Sequence, residues 1–211
     1  MEGIFSVDGK AFRFFSKMSD LVILNLLWLV CSIPVITLGA STTALYSVVI
    51  KMVKDEESYI VKSFFSSFRE NFKQATVVWG ILLAVFSLLY VDFFFSSHTP
   101  VTGGELLFIP FAIVAILTLL TSLYVFPMLA VFRNSIKKTL KNSLYMALAH
   151  LPFSVFISLI AAGPGMLLFL LSEKVMLAVF MDLVIGVAFF AWVNAHIFVK
   201  LFERYMPDRA S

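Results

Sequence analysis

Apolar positions in this chain fall in long blocks rather than at the short periods of a soluble fold. Ala75–Phe95, Leu106–Val131, Leu151–Leu171 and Val175–Val199 are apolar runs, broken by a carboxylate only at Asp92 and Asp182. Each reaches the roughly 20 residues that a hydrocarbon layer of about 30 Å requires at a rise of about 1.5 Å per residue. The turn-rich stretch Ser96–Gly104 joins the first two, and Ser172-Glu173-Lys174 joins the last two. The pattern predicts two helical hairpins.

The first apolar block is less simple. Leu21–Ile36 is apolar, but Pro34 disrupts a helix and Gly39 permits a turn. Ser41-Thr42-Thr43 then offers N-cap hydroxyls for a second helix running to about Val53. Either one kinked span continues as a surface helix, or a helix enters, turns at Pro34–Gly39 and returns.

Positive charge separates these readings. Lys and Arg number three in residues 1–20, five in 41–74, none in 96–105, four in 132–150, one in 172–174 and three in 200–211. A single crossing in the first block divides them twelve to four, whereas a there-and-back hairpin divides them fifteen to one. Because cytoplasmic loops collect Lys and Arg, the hairpin is favoured, with six membrane helices and both termini inside. Ser41–Val53 covers only about 20 Å as helix, so a re-entrant hairpin and a fully spanning one both stay open. The expected architecture is thus an all-α polytopic membrane bundle of five to six transmembrane helices in a single domain, 1–211. Residues 1–20 form an interfacial segment and 21–53 a hairpin.

Composition agrees: the chain is 61% hydrophobic and 14% charged, with 24 Phe, against about a quarter charged in soluble domains. The net charge of +3 lies between apolar blocks and so reads as topology rather than as a nucleic-acid surface. Lys10, Arg13 and Lys17 ahead of an apolar run resemble a signal peptide, but Leu38 stands where a small residue is wanted, so no cleavage is expected. Cys31 is the single cysteine and implies no disulfide.

Two segments look amphipathic and inner-leaflet. In Lys62–Gln74, Phe64, Phe68 and Phe72 recur every four residues, and in Lys138–His150 Leu140, Leu144 and Leu148 do the same, 76 residues later. A duplicated unit of surface helix and two spans over 62–131 and 138–200 would account for this. So would the ordinary demand that an inner-leaflet helix show apolar groups to lipid and Lys to phosphate.

Chemistry-bearing patterns are scarce. No nucleotide-binding glycine pattern, metal-ligand spacing or nucleophile–base arrangement is legible. His98, His150 and His196 are scattered, so neither enzyme nor cofactor is expected. Asp182 lies about 11 Å below the outer end of the last span by helix rise. It either lines a solute or proton path or, protonated or wetted, holds helices together. Asn25, Asn194 and His196 are the other polar groups in apolar segments, and helix-packing hydrogen bonds are their expected role. Ala161-Ala162-Gly163-Pro164-Gly165 predicts a kink.

Asn25-Leu26-Leu27-Trp28, Pro34-Val35-Ile36-Thr37-Leu38-Gly39-Ala40, Thr43-Ala44-Leu45-Tyr46 and Phe64–Gln74 with Asn71-Phe72-Lys73-Gln74 together resemble the N-terminal signature of the YesL family. That resemblance implies a bacterial cytoplasmic-membrane protein, and a role in oligosaccharide uptake beside carbohydrate ABC importers. It implies an accessory subunit that docks on permease subunits and depends on a separate ATPase. The family supplies no catalytic residues; Trp28, Pro34, Thr37, Gly39 and Asn71 are motif positions without an assigned role. The alternative is a stand-alone small-solute transporter or channel with a midplane site near Asp182.

Overall fold

A computed structural model describes residues 10–56, 59–98, 104–170, 175–182 and 186–205. Within them the chain is helical: α1 (Lys10–Ser32), a single 3-10 turn (Val35–Thr37), α2 (Leu38–Val53), α3 (Ile60–His98), α4 (Gly104–Val131), α5 (Ile136–Ala149), α6 (Leu151–Ala161), α7 (Gly163–Leu170), α8 (Val175–Met181) and α9 (Val187–Glu203). Four of the described helices are long and apolar enough to cross a membrane, and a fifth span is counted if the bent pair α5–α6 is one. The connection expected at Ser96–Gly104 is shorter, since Ser96–His98 still belong to α3 and Gly104 opens α4; 99–103, the connection expected at 172–174 and the first nine residues lie outside the described residues.

The first block is a there-and-back hairpin. Lys17 Nζ meets Asp55 at 2.9 Å, Trp28 Nε1 donates to Thr42 Oγ1 at 3.1 Å, and the Ser32 and Ser41 hydroxyls lie 2.6 Å apart. These pairs step evenly from the open end to the apex, as antiparallel helices require. Pro34 stops α1. Thr37 then ties the apex, its hydroxyl donating to the carbonyls of Cys31 and Pro34 at 2.5 and 2.7 Å. Two local expectations are corrected. Ser41-Thr42-Thr43 do not cap α2, which already starts at Leu38; once inside a helix, Thr43 bonds back to the Gly39 carbonyl at 2.9 Å. Gly39 is not the turn residue either. A Cβ there would lie 2.7 Å from the Ala75 carbonyl oxygen and 2.7 Å from Trp79 Cβ, so Gly39 exists for close approach to α3. At its other end α2 stops with Asp55 at φ 51°, and the Glu56 N–H returns to the Lys51 carbonyl at 3.0 Å.

α2 runs through the interior. It packs on α1, α3, α4 and α9, and Ala40, Ala44, Leu45, Val48 and Val49 are all essentially inaccessible. Against α3 it is antiparallel: Val35 O accepts from Trp79 Nε1 at 2.7 Å, and Lys51 Nζ donates to Ser63 Oγ at 3.1 Å. The apex of the hairpin is therefore level with Trp79, the middle residue of α3.

Residues 62–74 are not a separate surface helix. They form the first part of α3, which is continuous for 39 residues, about 58 Å. No proline stands between the polar stretch and the apolar one, so nothing breaks the hydrogen-bond ladder. The phenylalanine stripe forms as its spacing predicts, with Phe64–Phe68 and Phe68–Phe72 centroids 6.2 and 5.5 Å apart. Only its first ring is fully inside, however: Phe64 is buried in the main core beside α2, Phe68 is half-buried and Phe72 is exposed. In the second unit α5 and α6 bend by 104° at His150, where Pro152 opens α6. The 76-residue offset thus relates segments of different shape. The expected kink occurs between α6 and α7, with Met166 N–H reaching the Ala162 carbonyl at 2.9 Å.

Gly39→Ala is expected to destabilise the protein by about 1–3 kcal/mol through overpacking. Gly80→Ala, where a Cβ meets nothing within 4 Å, should be neutral or stabilising by up to about 1 kcal/mol. Thermal melts of both variants in the same detergent check the pair; equal melting temperatures would contradict the close-approach role of Gly39.

Candidate functional site

The last apolar block carries a π-turn: α8 ends at Met181, Asp182 and Gly186 are π-helical, and α9 begins at Val187. A π-turn takes main-chain groups out of the α-helical hydrogen-bond ladder. In a setting without water such groups must be satisfied internally. Asn25, fully buried on α1, does this: its Nδ2 donates to the Asp182 carbonyl at 3.0 Å, and its Oδ1 accepts the Ala188 N–H at 3.0 Å. One amide side chain thus bridges the two ends of the π-turn. It also pins α9 to the hairpin, 163 residues away in sequence.

Asp182 is therefore anchored through its backbone. Its carboxylate folds over Gly186, where a Cβ would collide with Oδ1. That oxygen is buried and has no hydrogen-bond partner among the described residues. Next to the junction, a Cβ on Gly163 would collide with the Phe190 ring, so the α6–α7 kink seats against the first turn of α9. The α6–α7 kink and the π-turn of the last span thus lie side by side. Gly186, four residues after the carboxylate, was the available signal for the π-turn.

The other polar candidates separate. Asn194 is buried on α9, donates to the Ile157 carbonyl of α6 at 3.4 Å and lies beside the Tyr46 hydroxyl of α2. A second buried polar group lies between α4 and α6, where the Tyr124 and Ser154 hydroxyls are 2.8 Å apart and Ser154 donates to the Ala147 carbonyl at 2.7 Å. The Tyr46 and Tyr124 rings both meet Phe198 edge-on. Tyr124 and Ser154 escaped the sequence reading because hydroxyls in apolar helices are usually satisfied within their own turn. His196 is exposed, with Nδ1 3.0 Å from the Trp192 carbonyl and its ring edge-on to Trp192. It joins neither cluster.

The motif positions serve the hairpin. Trp28, Pro34, Thr37 and Gly39 build and seat its apex as described, while Asn71 donates to the Ser67 carbonyl one turn back at 3.0 Å. Its neighbour Gln74 reaches the Asn134 carbonyl at 2.6 Å and ties α3 to the α4–α5 connection. Among the described residues no group of three His, Cys, Asp or Glu is placed to hold a metal ion.

Asn25→Leu should cost about 1–3 kcal/mol, because it leaves a buried carbonyl and a buried N–H unpaired. Denaturation in detergent reads the loss, and an unchanged midpoint would remove Asn25 from this role.

No curated protein and no solved structure matches the chain. Residues 21–93 match a family described as "Protein of unknown function, DUF624". The matched stretch takes in most of the hairpin and most of α3, so it coincides with the apex, the Gly39 contact and Asn25.

Proposed function

We propose that this protein is an accessory membrane subunit of a carbohydrate ABC importer and acts by helix–helix recognition with the permease subunits. The family match over residues 21–93, with the motif residues within it, supports placing the chain among YesL-like proteins of the bacterial cytoplasmic membrane. The observation that carries the reading is where the buried polar side chains go. Asn25, Ser154 and Tyr124 bond to neighbouring helices of the same chain, which is the chemistry of a rigid packing unit. Meanwhile α3, α4 and α6 present Leu88, Phe93, Ile113, Ile116, Phe156 and Leu159 outward, an apolar surface that suits other membrane helices or lipid.

The π-turn in the last span favours a second reading, a stand-alone small-solute transporter. π-Turns are frequent at functional sites, and a carboxylate at depth in a membrane helix is costly unless it serves a solute path. Here Asp182, with one buried oxygen unpartnered, would be the binding group, and Asn25 would hold the π-turn in place.

Affinity isolation of the tagged protein decides between them. Permease subunits that stay bound through detergent washing support the first reading. Solute flux into liposomes containing the protein alone supports the second, and Asp182→Asn should then abolish that flux. The orientation with both termini cytoplasmic predicts that green fluorescent protein fused after Asn134 or Ser211 fluoresces, whereas alkaline phosphatase is active when fused near His98 and inactive at those two positions. Phosphatase activity at the C-terminus would overturn it.

A further inference from the structure

Two segments at one end of the molecule carry a one-sided charge. Residues 60–74 and 132–150 contain Lys62, Arg69, Lys73, Arg133, Lys137, Lys138 and Lys141 against the single carboxylate Glu70. All seven cations are exposed. The fold brings the two segments together: Gln74 holds the Asn134 carbonyl at 2.6 Å, and Glu70 lies 3.6 Å from Arg133.

α5 is the distinctive part. It turns through 104° into α6, so it lies across the end of a membrane helix instead of continuing it. Thr139, Ser143, Met146 and Ala147 face inward, with Ser143 on Met128 of α4 at 3.6 Å. The opposite face carries Lys137, Lys141, Tyr145 and Leu148 at spacings of four, four and three residues, all exposed. On α3, exposed Phe65 and Phe72 likewise alternate with Lys62, Arg69 and Lys73. Cations mixed with half-exposed aromatic and aliphatic groups suit a layer that is charged on one side and apolar on the other. An acidic protein segment would call for the cations without the apolar partners.

We propose that α5, with the α4–α5 connection and the first half of α3, is a binding surface for the headgroups of anionic phospholipids. The ammonium groups of Lys137, Lys138 and Lys141 and the forked guanidinium of Arg133 meet the phosphates, and Tyr145 and Leu148 reach the acyl boundary. This inference is independent of either reading of function.

The test is lipid retention by the detergent-solubilised full chain, measured by native mass spectrometry with phosphatidylglycerol and phosphatidylcholine supplied equally. The expected result is preferential retention of phosphatidylglycerol, reduced tenfold or more in K137Q/K138Q/K141Q and kept in K137R/K138R/K141R. Each cation near an anionic surface contributes about a fivefold factor, so three removals clear that margin. Equal retention of both lipids would overturn the proposal, as would a glutamine variant that binds like the parent. So would displacement of the lipid by inorganic phosphate beyond the effect of chloride at matched ionic strength, which would mark a free-phosphate site. A poly-glutamate peptide that outcompetes phosphatidylglycerol at equal charge would identify an acidic protein as the occupant and sink the lipid assignment.

Discussion

The fit of α2 into the interior is the constraint on which the rest of the structure depends. A helix surrounded by four others can approach them closely only if its side chains are small where the axes meet. Gly39, Ala40, Ser41, Thr43, Ala44 and Ser47 are all buried, and they supply that surface over the first three turns. Such small-residue packing is the usual way for helices to gain dispersion contacts where lipid gives little hydrophobic drive. The larger Leu45, Val48, Val49 and Ile50 then fill the wider space towards the open end of the hairpin. Because α1, α3, α4 and α9 each rest on α2, a displacement of α2 is felt by every other layer.

Polar atoms do the remaining specification. In an apolar bundle almost any rotation of a helix buries similar area, so area alone does not fix the arrangement. Asn25 restricts it, since a single amide must meet one carbonyl and one N–H at the two ends of a π-turn. Trp79 at the apex and Ser154 between Ala147 and Tyr124 impose similar conditions elsewhere. These bonds contribute individually little, on the order of 1 kcal/mol, yet each excludes the neighbouring registers.

How much of this was legible in the sequence follows from the range of each interaction. The long blocks and the all-helical class could be read because hydropathy over 20 residues is a local sum. The hairpin could be read because topology is recorded in the distribution of Lys and Arg, a property of connections rather than contacts. The continuity of α3 was missed because a change from polar to apolar composition at Gln74–Ala75 looks like a boundary, although only proline or a cap ends a helix. The meeting of Asn25 with Asp182 was out of reach, since nothing local to either residue reports a partner 157 positions away. Both were singled out as polar groups in apolar surroundings, but separately. Gly39 was noticed for its freedom to turn, while its actual value is the absence of a side chain.

The length of α3 has a mechanical side. A 39-residue helix that is held to the hairpin from Ser63 to Trp79 is a cantilever. Its first half is the fixed arm, with Phe64 in the core and Gln74 on the α4–α5 connection, and the half beyond Trp79 carries the exposed Leu88, Tyr90 and Phe93. With no break between the halves, a tilt of the hairpin is passed along the whole helix, and the displacement grows with distance beyond Trp79.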